Sequence, residues 1–97
     1  MFYMCDCPMP CGNGSVGFWR CGDNKSIILR CDECETPWLQ PRDVLAGLPL
    51  SIESSNLPGT KVPIYGAAAS WATRDEIEKV GWSSFICGEG AALGDSN

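Results

Sequence analysis

The chain contains no histidine, and its 7 basic residues are outnumbered by 12 acidic ones, giving a net charge of −5. The first absence excludes imidazole-based acid–base catalysis and any histidine metal ligand. The second argues against a reader of the nucleic-acid backbone, which needs clustered Lys and Arg. Long apolar runs are missing too: none approaches the roughly 20 residues needed to cross a bilayer. Residues 1–11 carry neither the basic start nor the apolar core of a secretory leader, so the chain reads as cytoplasmic. A length of 97 residues leaves room for one small domain but not for a dinucleotide-binding fold or a (β/α) barrel.

What the chain has in excess is cysteine. Seven occur, at positions 5, 7, 11, 21, 31, 34 and 87. An odd count in a chain without an export signal argues against a complete disulfide framework, and clustered cysteines in a reducing compartment are metal ligands more often than not. Cys7 and Cys11 form a C-x3-C pair, and Cys31 and Cys34 form a C-x2-C pair. Each pair can present two thiolates from one tight turn, and two such turns make a tetrahedral four-sulfur site. Thiolate is the soft ligand that zinc and iron select. The plain alternative is a set of buried thiols packed as small apolar groups.

Between the pairs, residues 15–21 and 26–31 are rich in aromatic and β-branched side chains and flank a Gly/Asp/Asn turn, which is the pattern of a β-hairpin. A turn centred on Asp23 and Asn24 sets Cys21 opposite Ser26, Phe18 opposite Leu29 and Val16 opposite Cys31. One face then carries Val16, Phe18, Ile27 and Leu29. The other carries Trp19 and Ile28, with Arg30 along the Trp19 ring. This register brings both cysteine pairs to one end of the ribbon and sends Cys21 to the other. A third short strand over residues 35–39 can return alongside, and Pro37 confines it to an edge.

On these residues the chain resembles the zinc-ribbon group, the wider rubredoxin-like set of zinc-binding folds. The resemblance covers residues 5–39 and rests on Cys7, Pro8, Cys11 and Gly12 in a first knuckle and Cys31 and Cys34 in a second. It implies a structural metal, one Zn²⁺ per chain, on Cys7, Cys11, Cys31 and Cys34, with iron as the other candidate. The first knuckle has three residues between its cysteines where the group usually has two, which leaves room for Cys5 in place of Cys7. A four-cysteine site keeps no open position for water or substrate. A 35-residue ribbon buries too little apolar surface to fold alone. Structural zinc contributes about 10–16 kcal/mol of apparent binding free energy, comparable with the net stability of a whole domain, about 5–15 kcal/mol.

The rest of the chain reads as a covering extension, residues 40–87, and a fraying tail, residues 88–97. Pro41 at a first helical position and Gly47 as a stop predict a short helix. Residues 48–65 are broken by Pro49, Pro58, Gly59 and Pro63, with a short strand expected at 61–65. Thr73 and Glu76 predict a capping box for a helix over 74–80, stopped by Gly81 with Trp82 reaching back to Ile77. Phe85 and Ile86 are expected to be buried. Because the hairpin is apolar on both faces, the second half should fold back over one of them, with Trp19, Trp38, Trp71 and Trp82 as large core pieces. The expected fold is small α+β: a zinc ribbon carrying an extension of one or two short helices.

No catalytic constellation is visible, so the chain reads as non-enzymatic. Asp23 and Asn24 at the hairpin tip suit a turn for backbone reasons and need no metal there. Cys5, Cys21 and Cys87 read as inert thiols. A closed metal site and an acidic surface suit a protein-binding module steered to a basic protein partner. One concrete version is a small bacterial immunity or antitoxin-like protein that masks a basic toxin, by analogy of size and charge. The other readings are a transcription-associated ribbon, which the charge opposes, and a rubredoxin-like redox protein.

Overall fold

The computed structural model describes residues 1–9, 14–51 and 56–90. Its centre is one antiparallel sheet of six strands: β1 (Phe2–Asp6), β2 (Ser15–Arg20), β3 (Ile27–Cys31), β4 (Pro37–Trp38), β5 (Ser70–Trp71) and β6 (Gly88–Glu89). The order is β4-β3-β2-β1-β6, with β5 joined to β2. Two short helices, α1 (Pro41–Ala46) and α2 (Arg74–Lys79), complete an α+β architecture, and a single 3-10 turn spans Ser83–Phe85. No described helix is long and apolar enough to cross a membrane.

The central hairpin has the register the sequence dictates. Val16 pairs with Cys31, Phe18 with Leu29 and Arg20 with Ile27, and the Cys21 amide donates to the Ser26 carbonyl at 2.8 Å. Asn24 takes a positive φ of 62° at the tip, a conformation Asn tolerates. Asp23 accepts from the amides of Lys25 and Ser26 and from the Ser26 hydroxyl. The tip carboxylate is thus spent on its own turn. β4 pairs with β3 at the sheet edge, Leu29 opposite Trp38, where a proline costs no ladder bond.

The other side of β2 is shared. β1 covers its first half, Cys5 opposite Val16 and Asp6 opposite Ser15. β5 covers its second half, Trp19 opposite Trp71 and Arg20 opposite Ser70. The sheet therefore begins at Phe2, ahead of the ribbon's expected start at residue 5. Gly88 and Glu89 pair with β1 instead of fraying; residues 91–97 of the expected tail lie outside the described residues.

The helices follow their local signals. α1 starts on Pro41 and stops at Gly47. α2 is opened by the reciprocal Thr73–Glu76 capping box. At its other end the Gly81 amide donates to Glu78 and the Trp82 amide to Ile77, the paired bonds of a Schellman stop, with Gly81 at φ 80°.

Both faces of the hairpin are covered. On one, Val16, Phe18, Ile27 and Leu29 form a cluster with Met4, Trp38, Val44 and Ile77, which brings in both helices. On the other, Cys21 and Ile28 pack with Leu57 and Ile64, so the second half wraps both faces and not one. The expected strand at 61–65 is replaced by an isolated bridge between Asn56 and Pro63, because Pro63 has no N–H with which to continue a ladder. Phe85 lies exposed in the 3-10 turn, against the expectation of burial. Of the tryptophans only Trp38 is fully buried; Trp19, Trp71 and Trp82 are half-buried.

Candidate metal centre

Three sulfurs converge at the end of the hairpin where β2 begins and β3 ends. The Sγ atoms of Cys7, Cys31 and Cys34 all lie within 4.8 Å of one another, and those of Cys7 and Cys34 are 3.7 Å apart. A zinc ion with four Zn–S bonds of about 2.3 Å in a tetrahedron sets its sulfurs about 3.8 Å apart. Cys31 is fully buried and Cys34 is exposed, so the centre sits at the rim of the core.

Each sulfur is placed by backbone bonding. Cys7 follows β1, and its amide donates to the Gly14 carbonyl at 2.8 Å. Cys31 is the last residue of β3, and its amide donates to Thr36 at 3.0 Å across the second turn. That turn is clipped to β2 by two bonds: the Asp32 amide to the Ser15 carbonyl at 3.0 Å, and the Ser15 amide to the Asp32 carboxylate at 2.8 Å. The amides of Glu33 and Cys34 point at the Cys31 sulfur, at 3.4 and 3.5 Å. Such donors favour thiolate over thiol. Burial pushes the Cys31 thiol up from its ordinary value, and those two amides oppose it. A cation held by these sulfurs would supply the remaining stabilisation that a buried thiolate needs.

Cys7, Cys31 and Cys34 are thus brought together; Cys11 and Gly12 of the first knuckle lie outside the described residues. Cys5 does not join them. It is held inside the β1 ladder opposite Val16, and burial, with Asp6 and Cys87 adding, pushes its thiol up. Cys21 sits in the opposite cluster, where burial pushes its pKa to about 11. Sequence reasoning missed Gly14, over which the Cys31 sulfur closes. A Cβ there would overlap that sulfur and stand 3.0 Å from the Asp32 carboxylate. It also missed most of the cluster beside the second turn. Arg30 lies over Trp19 at 4.7 Å as expected, but also 5.3 Å from Trp71 and 5.6 Å from Tyr65. Its guanidinium pairs with Glu35, next to Cys34.

No protein-family description matches the chain, and no solved structure matches it. The chain is similar to the uncharacterized protein L48 of Acanthamoeba polyphaga mimivirus, 26% identical over 88 residues that span 82% of this chain and 72% of that protein.

Proposed function

We propose that this chain is a non-enzymatic protein-binding module whose fold is held by one zinc ion on Cys7, Cys11, Cys31 and Cys34, and that it engages a basic protein partner. The observation that carries the metal is the convergence of three sulfurs from two distant segments within 4.8 Å of one another, with Cys7 and Cys34 at 3.7 Å. Cys11 is assigned as the fourth ligand from its C-x3-C spacing to Cys7 in the sequence, while Cys5 and Cys21 are committed elsewhere in the fold. Four thiolates close the coordination sphere, which suits a structural ion. A basic partner follows from the net charge of −5 and from the exposed Asp6 and Glu33, each next to a cysteine of the centre in sequence, to which a four-thiolate zinc site would add negative charge.

Elemental analysis of the purified chain should give one zinc. Serine at any one of positions 7, 11, 31 and 34 should lower zinc affinity by at least about tenfold, whereas Cys5→Ser and Cys87→Ser should leave it unchanged. Iron and a red protein, or zinc retained in Cys11→Ser and lost in Cys5→Ser, would refute the assignment. On the partner side, affinity purification from the source cells should recover a basic protein in equal amounts that raised salt releases.

A further inference from the structure

A cleft of about 510 Å³ opens between the hairpin tip and α2. Asn24, Lys25, Ser26 and Ile27 form one wall, and Glu76, Lys79 and Val80 form the other. Its size is within the range of small-molecule sites, and it lies away from the cysteine end of the hairpin.

The cleft is positive on an acidic protein. Three arginines are engaged in ion pairs, Arg20 with Glu76, Arg30 with Glu35 and Arg74 with Glu78. Among the described residues neither Lys25 nor Lys79 has a carboxylate within ion-pair distance. Glu76 reaches the cleft, but both its oxygens face Arg20 at 3.2 Å and one also accepts from the Thr73 amide at 2.9 Å. Its charge is balanced from behind. Asp23, the nearest acid on the hairpin, is turned into its own loop. Asp75 lies one turn before Lys79 on α2 without reaching it, and Glu78 faces Arg74. Ile27 and Val80 are the apolar members of the lining.

We propose that this cleft binds a phosphomonoester. Two ammonium groups match a dianion, where a single carboxylate would leave one of them uncompensated. The Asn24 amide is a neutral donor alongside, and the organic part of the ligand lies on Ile27 and Val80. The phosphate can come from a small metabolite or from a phosphorylated side chain.

The full chain, as purified with its metal, is titrated with AMP, with a short phosphoserine peptide and with adenosine while backbone amide NMR shifts are followed. The expected result is saturable movement of Lys25, Ser26, Lys79 and Val80 by AMP or the phosphopeptide, the tighter of the two naming the source, and none by adenosine. Lys25→Gln and Lys79→Gln should each weaken that binding about tenfold, and Lys61→Gln, away from the cleft, should leave it intact. The proposal is overturned if neither phosphate probe moves these amides, if adenosine moves them equally, or if Lys61→Gln weakens binding as much as the cleft variants. None of these outcomes depends on which metal the cysteines hold.

Discussion

At Gly14 the backbone passes so close to the second cysteine turn that a methyl group would strike the Cys31 sulfur. The same residue offers its carbonyl to the Cys7 amide, so it sets the distance between sulfurs from the two segments. Gly14→Ala should therefore lower metal affinity by about 10- to 100-fold, as loss of support around a ligand does, with the hairpin itself intact; competition against a chromogenic chelator measures this, and unchanged affinity would show that the turn simply shifts aside. At this scale the sequence was informative where spacing carried the signal: Cys31 and Cys34 had to share a turn, and Cys21 had to sit at the far end once the hairpin register was set. It was silent on Gly14, because a glycine needed for close approach is indistinguishable in one sequence from a glycine in any turn. The choice between Cys5 and Cys7 was open for a similar reason. The fold separates them: the ladder of β1 takes Cys5 as a paired strand residue, while the Cys7 sulfur meets Cys34 at 3.7 Å.

Among the elements, α2 shows how local chemistry can fix a helix of six residues. Burial draws the Glu76 carboxyl upward, but the Thr73 amide and the Arg20 guanidinium hold it below its ordinary value of 4.5. A carboxyl with a lowered folded-state value stabilises the fold above its unfolded value and loses that contribution as pH falls through the folded one. The melting temperature should therefore decline as pH drops below 4.5, and Glu76→Gln should flatten that part of the curve; a variant that follows the parent would show that the Arg20–Glu76 contact is inconsequential. Thr73→Ala should cost about 1 kcal/mol by removing the other half of the cap, read by chemical denaturation. Both ends of α2 were legible because capping boxes and Schellman stops are written within a few residues of each other. β5 and β6 were not. Each is two residues long, and each exists because a distant strand edge needed a partner: Ser70 and Trp71 lie about fifty positions from the half of β2 they complete. The mistaken strand at residues 61–65 has the opposite cause, since the β-branched pattern was present but Pro63 denied it a donor.

Across the whole molecule, the two apolar clusters are separate in their contacts yet share the same two strands. The cluster with both helices uses Val16, Phe18, Ile27 and Leu29; the other uses Ile28 and Cys21, with Trp19 against it. Neither can be dismantled without opening β2 and β3. Thermal unfolding should therefore be a single transition, with tryptophan fluorescence and far-ultraviolet circular dichroism coinciding, and a chelator should lower both midpoints together. Two separated transitions would mean that the 56–65 segment is an independent unit. The α+β character and the placement of the hairpin were legible at this scale, since they follow from composition and alternation. The wrapping of both faces was only half legible: apolar residues on both sides of the ribbon required a cover, but nothing in the order of residues said which segment would supply which side.

The shared edge of β2 also has a bearing on the order in which the chain can come together. Zipping β2 against β3 requires only the short turn at Asp23 and Asn24. Once that is done, gathering Cys7 to Cys34 no longer spans the full 27 positions between them; what remains to be closed is the brief stretch from Cys7 to Ser15. Loop-closure entropy rises with the length left free, so it favours the ribbon first, the gathering of Cys7 to Cys34 with β1 next, and the strand at Ser70–Trp71 last, arriving to occupy the half of the edge that β1 is too short to reach.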